Sequence, residues 1–289
     1  MVAYLVSTHG KGIRPTITLL AARLGGAEAN ERAIKAAVIV ELLHEATLVH
    51  DDVVDESDTR RGWPSLPARF KNKVSVLFGD YMLASVLAST LEARDLDWLD
   101  VLSVTSRRMA KGELLQAARS RSLDMTEEDY LGMIADKTAA LFSAACKLGG
   151  LSAGLARDQI ESLGVYGERL GVAFQIKDDL LDLFGDAKIG KPLGGDLKER
   201  KLTLPLLAAL VKSPPREGRR VRARIRRGIK RGEVKDVKEF IRTYGGDRYA
   251  EVMMERCRRE AVDALALLPD VPARQILMQL TDFAVERGT

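Results

Sequence analysis

Two short acidic clusters, each embedded in apolar sequence, constrain the fold of this chain most strongly. The first, Asp51–Asp55, reads DDVVD and follows an apolar stretch that begins at Leu42. The second, Asp178–Asp182, reads DDLLD and follows a similar stretch that begins at Phe174. If these stretches are helical, the first and last Asp of each cluster share one face, about 6 Å apart. Each cluster therefore predicts a carboxylate pair on the wall of an apolar helix.

Such a pair repels itself and is costly to bury without a partner. A Mg²⁺ ion removes this cost, because it accepts one or two carboxylates and takes waters and phosphate oxygens for its remaining ligands. One cluster alone says little, since exposed Asp pairs are common on helices. Two copies in apolar surroundings predict two helices that face each other across a bundle and clamp a metal-bound diphosphate.

The rest of the sequence favours helices. Alternation typical of strands is almost absent, whereas apolar residues recur at helical spacing, as in Ile34, Val38 and Leu42. Gly and Pro punctuation divides the chain into about ten helices. Several are apolar on more than one face, as central helices of a bundle are. We predict an all-α fold with a single domain over residues 1–289.

The net charge of +4 is unevenly distributed. Residues 212–235 contain 11 Lys and Arg but only 2 acids, a local charge of +9, which leaves −5 for the remainder. A solvated helix or loop is the first interpretation of this segment, and contact with an anionic lipid surface is the second. Nucleic-acid binding is the third, and the absence of interleaved aromatic residues argues against it.

Cysteine usage and the N-terminus indicate a soluble, cytoplasmic protein. Cys146 and Cys257 form neither a disulfide framework nor a metal-ligand spacing. The sequence has no signal-peptide pattern and no uninterrupted apolar run of about 18 residues.

Basic residues accompany the acidic clusters. Lys11 and Arg14 precede or begin a helix, whose N-terminus favours anions. Arg60 and Arg61 follow the first cluster, and His44 precedes Asp51 by seven residues, on nearly the same face. Taken singly, Lys11 and Arg14 are more typical of ordinary surface charges, and Arg60 and Arg61 of a solvated helix end. A lone histidine such as His44 is more often a hydrogen-bonded core residue than a ligand.

Two further segments contain basic and polar residues. Lys137 and Thr138 stand where a polar stretch gives way to an apolar one. A Gly-rich basic loop, residues 190–203, follows the second cluster and contains Lys191 and Lys201. This loop is either a lid that closes over phosphates or a simple connector.

Together these motifs resemble those of the trans-isoprenyl diphosphate synthase (polyprenyl synthetase) family, in particular its long-chain hexaprenyl to octaprenyl members. The likeness extends from Gly10 to about Leu210 and rests on residues 10–15, 44–62, 137–138, 174–182 and 191–203. It implies the isoprenoid synthase fold, an all-helical bundle around a deep central cavity. It also implies a homodimer and a requirement for Mg²⁺, with two or three ions beside the bound diphosphate.

The resemblance assigns roles to individual residues. The metal ligands are Asp51, Asp52, Asp55, Asp178, Asp179 and Asp182. Isopentenyl diphosphate is bound by Lys11, Arg14, His44 and Arg61. The allylic diphosphate is held by Arg60, Lys137, Lys191 and Lys201. Thr138 and Gln175 face the reacting carbons.

The implied chemistry requires no protein nucleophile. Metal ions and cations stabilise the departing allylic diphosphate, and the double bond of isopentenyl diphosphate attacks the resulting carbocation. The sequence departs from the family at Gly12, where many members have a basic residue, and at Lys177, where an apolar residue is common. The N-terminal helix of the family is expected to be short or missing here.

Product length depends on the side chains one turn before Asp51. Ala46 and Thr47 are small there, which predicts a hexaprenyl to octaprenyl product for quinone side chains, grown on a primer such as farnesyl diphosphate. If a deeper residue such as Met82 or Val86 stops the chain sooner, the protein is a short-chain farnesyl or geranylgeranyl diphosphate synthase.

Three other functions are weaker. A class I terpene cyclase lacks the isopentenyl diphosphate pocket, and a non-catalytic subunit of a heteromeric synthase loses the acidic clusters that this chain retains. We expect no nucleic-acid partner. Peripheral membrane contact for product release stays open.

Overall fold

The computed structural model describes residues 1–8, 10–26, 28, 30–185, 193–230 and 232–286, with all their side chains except that of Arg121. Within these ranges the first half of the chain forms α1 (Val2–Ser7), α2 (Ile13–Arg23), α3 (Glu31–Val54), β1 (Thr59–Arg60), β2 (Trp63–Pro64), α4 (Leu66–Phe70), α5 (Asn72–Glu92), α6 (Leu96–Ser122), α7 (Glu127–Ile134), a π-helix (Ala135–Ala139) and α8 (Ala140–Ser152).

The second half forms α9 (Arg157–Phe184), α10 (Gly195–Lys198), α11 (Leu204–Lys212), α12 (Pro215–Arg226), α13 (Glu233–Thr243), α14 (Gly246–Ala264), a 3₁₀ helix (Leu265–Leu267) and α15 (Pro272–Glu286). In the described part of the chain the one sheet is the two-stranded hairpin β1–β2. The prediction of an all-α fold is confirmed.

The chain divides into two compact units. Unit 1 comprises Met1–Val104, Ala144–Gly164 and Leu267–Leu277, and unit 2 comprises Thr105–Ser143, Val165–Ala266 and Met278–Thr289. Each acidic cluster belongs to a different unit. The single domain and the deep central cavity stay predictions.

In unit 1, α3 packs against α2 and α5. Asn30 caps the start of α3, where its side chain accepts a hydrogen bond from Ala33 N at 2.9 Å. The Lys35–Glu92 ion pair (3.8 Å) and the contact of His50 with Gly79 set an antiparallel register between α3 and α5. This register places Ala46 at the level of Met82, and both are buried.

Helix α5 leaves much of its apolar surface exposed. It is long and apolar enough to cross a membrane by length and composition alone, and it is the one helix of the described residues for which this holds. Only 28% of the apolar stretch is buried. Exposed apolar patches of this kind often mark interaction sites.

In unit 2, a capping box between Thr126 and Asp129 begins α7, which continues through the π-helix into α8. The core of unit 2 is formed by α7, the second half of α9, α11, α13 and α14. Helix α11 contributes seven consecutive buried residues, from Leu204 to Leu210. This core supports the face of α9 that carries the second acidic cluster.

Candidate active site

The first acidic cluster lies at the C-terminal end of α3. Asp52 is buried, and its Oδ1 accepts a hydrogen bond from Arg60 Nε at 2.6 Å. Burial raises the pKa of Asp52, while the neighbouring Arg60 opposes this rise. Asp51 and Asp55 are less buried than Asp52 and share the other face of the helix end. The structure therefore directs Asp52 toward an arginine and leaves the outer pair better placed for a ligand.

The hairpin β1–β2 delivers two arginines to this end of α3. Its turn residues, Arg61 and Gly62, have φ values of 52° and 80°, as a two-residue hairpin turn with left-handed central residues requires. The Arg61 guanidinium donates to Thr8 O at 3.2 Å and to Glu45 Oε1 at 3.3 Å. The interpretation of Arg60 and Arg61 as a solvated helix end is wrong, because they belong to this hairpin.

A partly buried pair of basic side chains joins α2 to α3, two turns before the first cluster. Arg14 Nη1 is 3.0 Å from His44 Nε2. Burial, followed by the charge of Arg14, lowers the pKa of His44 to about 2. Burial also lowers the pKa of Arg14, to about 10. The imidazole is thus neutral and accepts a hydrogen bond from the Arg14 guanidinium, so the positive charge of the pair belongs to Arg14.

The cations of unit 1 have different exposures. Arg60 and Arg61 also lower the pKa of His44, so the three arginines act on one buried ring. Lys11 is exposed just before Gly12, whose left-handed conformation (φ 60°) precedes α2. Glu45 is a buried carboxylate that sequence reasoning missed. The feature of the sequence that could have identified Glu45 is its charge within the otherwise apolar run of α3.

The residues proposed to govern product length differ in burial. Ala46 is fully buried, whereas Thr47 is partly buried and its Oγ1 donates to His44 O at 2.8 Å. A larger side chain at Ala46 must therefore displace packed neighbours.

The second acidic cluster lies near the end of α9 in unit 2. Asp178 is exposed, but Asp179 is only 4% exposed. Tyr130 OH donates to Asp179 Oδ2 at 2.6 Å, and Gln175 Nε2 donates to Asp179 Oδ1 at 2.8 Å. Both carboxylate oxygens of Asp179 carry hydrogen bonds from the protein. This arrangement suits a residue that positions its neighbours.

The same network reaches Thr138, whose Oγ1 donates to Gln175 Oε1 at 2.9 Å. The family resemblance predicts that Thr138 and Gln175 both face the reacting carbons, and in the structure the two side chains are in contact. Sequence reasoning did not identify Tyr130, which lies 49 residues before Asp179 and has no local signature.

Asp182 connects the second cluster to the loop that follows. Its Oδ1 accepts from Gly195 N at 3.0 Å and its Oδ2 accepts from Asp196 N at 3.3 Å, at the start of α10. Burial, and then the charge of Asp182, raises the pKa of Asp196 to about 7. Burial likewise raises the pKa of Asp179, and Asp196 adds to this rise. Asp196 belongs to the Gly-rich basic loop, residues 190–203, and the sequence alone assigns no role to it.

Lys137 and Thr138 lie in the π-helix Ala135–Ala139. Such segments frequently mark functional sites. Asp136, beside them, accepts from Arg108 Nε at 2.8 Å and from Lys111 Nζ at 2.9 Å, both on α6. Arg108 also donates to Ala135 O at 3.2 Å. The side chains of α6 thereby hold the widened turn in place.

Two glycines allow neighbouring helices to approach the π-helix closely. A Cβ on Gly112 of α6 would lie 2.5 Å from Lys137 N. A Cβ on Gly171 of α9 would lie 2.6 Å from Ala139 Cα. Lys137 itself forms an ion pair with Glu113, the residue after Gly112. The position of Lys137 is thus fixed by backbone contact on two sides.

A cavity of about 110 Å³ adjoins this network in unit 2. Its polar lining includes Lys137, Thr138, Gln175, Asp179, Asp196 and Lys201. Lys201 Nζ is 2.6 Å from Glu199 Oε2. Lys191, the other lysine assigned to the allylic diphosphate, lies outside the described residues.

Among the described residues, no three His, Cys, Asp or Glu side chains lie close enough to hold a metal ion by themselves. Each cluster instead offers one or two carboxylates on a helix face. That donor set fits a hard cation such as Mg²⁺, which readily takes its other ligands from water and phosphate.

Comparisons with known proteins identify the family of this chain. The family model for polyprenyl synthetase matches residues 1–244. Octaprenyl diphosphate synthase of Escherichia coli is 41% identical over 285 residues, which cover 98% of this chain and 88% of that protein. A decaprenyl diphosphate synthase structure from Rhodobacter capsulatus has a TM-score of 0.94 at 40% identity and covers 100% of this chain and 89% of its own.

A second solved structure carries ligands. The polyprenyl synthase of Caulobacter crescentus, complexed with calcium and isoprenyl diphosphate, has a TM-score of 0.92 at 39% identity, covering 99% of this chain and 88% of its own. The family model matches well over half of this chain, and the relatives align along nearly all of it. The chain therefore belongs to the polyprenyl synthetase family.

Proposed function

We propose that this protein is a Mg²⁺-dependent trans-polyprenyl diphosphate synthase, which condenses isopentenyl diphosphate with an allylic diphosphate. The observation that carries this proposal is the presence of two acidic clusters, each accompanied by its own cations. Asp51 and Asp55 accompany the arginines of unit 1. In unit 2, Asp179 lines the same cavity as Lys137 and Lys201, and Asp178 is its neighbour on α9. Two diphosphate substrates require two such sets of cations.

The unit 1 cations suit isopentenyl diphosphate. Arg14 lies 3.0 Å from the neutral imidazole of His44, so the positive charge of the pair stays on the guanidinium. Arg61 presents a second guanidinium, tethered to Thr8 O and Glu45. Bidentate guanidinium groups match phosphate oxygens in geometry and charge. Lys11, being exposed, supplies a further cation at the rim.

The unit 2 residues suit the allylic diphosphate and the cation that it leaves. When the allylic C–O bond breaks, its electron pair departs with the diphosphate, beside Lys137 and Lys201. The double bond of isopentenyl diphosphate then supplies the electron pair of the new C–C bond, and a proton leaves the adjacent carbon for the released pyrophosphate. The oxygens of Thr138 and Gln175, oriented through Asp179, favour positive charge at the reacting carbon.

Mg²⁺ is the metal that we propose, with two or three ions per diphosphate. Asp178 is exposed and Asp51, Asp55 and Asp182 are partly exposed, which favours them as direct ligands over the buried Asp52 and Asp179. Bound Mg²⁺ supplies charge neutralisation for the leaving diphosphate. Calcium in the Caulobacter crescentus structure supports a divalent ion in general.

A long product, hexaprenyl to octaprenyl, is favoured by the similarity to octaprenyl and decaprenyl diphosphate synthases and by the small side chains of Ala46 and Thr47. A short product remains the alternative if Met82, at the level of Ala46, blocks the growing chain. We expect Ala46→Phe to shorten the product. Ala250→Phe introduces the same side chain at another fully buried alanine, far from either cluster in sequence, and should leave product length unchanged.

The decisive experiment incubates purified protein with farnesyl diphosphate, labelled isopentenyl diphosphate and Mg²⁺, followed by sizing of the products. We expect elongation that EDTA abolishes and a ladder that ends at hexaprenyl to octaprenyl. A ladder that ends at geranylgeranyl would support the short-chain alternative. No EDTA-sensitive elongation would refute the proposed function and favour a non-catalytic subunit.

We further propose a cytoplasmic homodimer. Leu77, Tyr81, Leu87 and Leu91 of α5 are each more than half exposed, as are Ile34 and Val38 of the adjacent α3. A second copy of the chain would cover this apolar face. Both cysteines are buried free thiols, which is compatible with a reducing compartment.

Sedimentation velocity tests the dimer. Leu77→Glu/Leu91→Glu should give monomers, while Val165→Glu/Val252→Glu alters two exposed apolar residues on other helices and should not. If both double variants sediment as the wild type does, the α5 face is not the interface.

A further inference from the structure

Helix α12 has one buried face and one strongly basic face. Val221 and Ile225 are buried in the core of unit 2. The exposed positions recur at intervals of three and four residues, which places them on a single stripe along the helix. This stripe, called the α12 basic stripe below, comprises Arg216, Arg219, Arg220, Ala223, Arg226 and the C-cap Arg227, together with Lys230, which is exposed just beyond the end of the helix.

Most of the charge on the α12 basic stripe is not neutralised within the protein. Arg227 pairs with Glu233, and Arg224, beside the stripe, pairs with Asp236 at 3.0 Å. Glu217, the one acid on α12, accepts a hydrogen bond from Tyr244 OH at 2.9 Å. In the described part of the chain, no acidic side chain forms an ion pair with the remaining cations, Arg216, Arg219, Arg220, Arg226 and Lys230.

This arrangement exceeds what solubility requires. Like charges three or four residues apart on a helix destabilise it, and the stripe contains several such pairs. A mixed set of charges would keep the face solvated without that repulsion. A surface that carries many negative charges would relieve this repulsion.

The chemistry of the stripe distinguishes between two polyanions. No aromatic side chain lies on it, so bases have nothing to stack on. A lipid surface, in contrast, needs only a flat row of cations. Val211, at the end of α11 just before the stripe, is 82% exposed and adds an apolar side chain beside the cations.

The proposed function gives a reason for such a surface, and the inference about product release rests on that function. A polyprenyl tail of six to eight units is insoluble in water, since each buried CH₂ favours the bilayer by about 0.8 kcal/mol. We propose that the α12 basic stripe docks the protein on anionic phospholipid headgroups, so that the product is released at a membrane surface.

Vesicle sedimentation in low salt tests the proposal, without any substrate present. The protein should bind vesicles that contain roughly one third phosphatidylglycerol and not vesicles of phosphatidylcholine alone, and salt should weaken the binding. Removal of three cations by Arg219→Gln/Arg220→Gln/Arg226→Gln should lower the partition coefficient on the order of 100-fold, given the usual contribution of each cation near an anionic surface.

The matched control removes three exposed arginines elsewhere. Arg107, Arg157 and Arg248 are exposed and lie on α6, α9 and α14. Their triple Gln variant has the same net charge as the stripe variant and should bind as the wild type does. An equal loss in both variants would overturn the proposal, because binding would then follow net charge alone. Binding to duplex DNA in preference to the anionic vesicles would overturn it in favour of nucleic acid.

Catalysis is measured separately. In detergent, the stripe variant should add isopentenyl diphosphate to a short soluble primer at the wild-type rate. Vesicle binding without elongation would refute the proposed function and leave the docking surface intact. Elongation without binding to anionic vesicles would refute the docking surface alone.

Discussion

The close contact between α6 and the π-helix provides a direct test of how Lys137 and Thr138 are positioned. In Gly112→Ala, the new Cβ would lie 2.5 Å from Lys137 N and 2.9 Å from Lys137 Cα. Both are backbone atoms, so no side-chain rotation relieves the overlap. Because packed interiors have few voids, the two helices must separate by about 1 Å to restore ordinary contact.

The expected loss of stability is modest and the loss of activity is large. Overpacking costs about 1–3 kcal/mol, and the better helix propensity of Ala returns roughly 1 kcal/mol of it. A shift of about 1 Å in Lys137 and Thr138 should lower kcat on the order of 100-fold. The KM for isopentenyl diphosphate should change little, because its proposed cations, Arg14 and Arg61, belong to unit 1.

The measurement compares Gly112→Ala with Gly132→Ala by steady-state kinetics and thermal unfolding. Gly132 lies on α7, within the same unit, and a Cβ there would meet nothing within 4 Å. Gly132→Ala should keep wild-type kcat and gain up to about 1 kcal/mol of stability. Wild-type kcat in a folded Gly112→Ala protein would refute the reasoning, since the π-helix would then tolerate displacement.

Two further predictions concern buried polar groups. Tyr130→Phe removes the hydrogen-bond donor to Asp179 and should lower both the stability, by about 1–2 kcal/mol, and kcat. The control Tyr249→Phe removes a similar hydrogen bond from a tyrosine to a carboxylate, that of Glu127, and should leave kcat unchanged. Equal kcat values in the two variants would contradict the role of Asp179. In the folded protein the pKa of His44 is about 2, below its ordinary value of 6.5. Below pH 6.5 the unfolded chain therefore binds a proton that the folded protein does not bind. As a result, the free energy of unfolding falls by roughly 1.4 kcal/mol for each pH unit below 6.5. His44→Gln removes this contribution. From pH 7.5 to pH 5.5 the wild type should therefore lose about 1.4 kcal/mol more unfolding free energy than the variant does. Equal losses in the two proteins would mean that His44 is protonated in the folded protein.

The helical fold could be predicted from the sequence because its determinants are local. Helical spacing of apolar residues and Gly or Pro at the ends of segments depend on neighbours a few residues apart. The hairpin around Arg61 was missed for a physical reason. Its strands have two residues each, too few to show alternation, and its turn depends on a left-handed Arg61 that sequence does not favour.

The π-helix and its glycine contacts were also beyond sequence reasoning. A single widened turn between α7 and α8 leaves the apolar pattern on both sides intact. Gly112 and Gly171 look like ordinary helical glycines, since the residue that each one accommodates is distant in sequence. The proximity of Thr138 and Gln175 came from the family resemblance, and a spacing of 37 residues carries no such information.

The two acidic clusters share a division of labour that their sequence pattern anticipates only in part. Consecutive helical residues point about 100° apart, so the second Asp of each cluster cannot face the same way as the first. In both units this second Asp is buried and hydrogen-bonded: Asp52 to Arg60, and Asp179 to Tyr130 and Gln175. The first Asp is the more exposed in each case. One carboxylate thus anchors the helix end to Arg60 in unit 1, or to Tyr130 and Gln175 in unit 2, and the other lies on the more exposed face, where we propose that the metal-bound diphosphate binds.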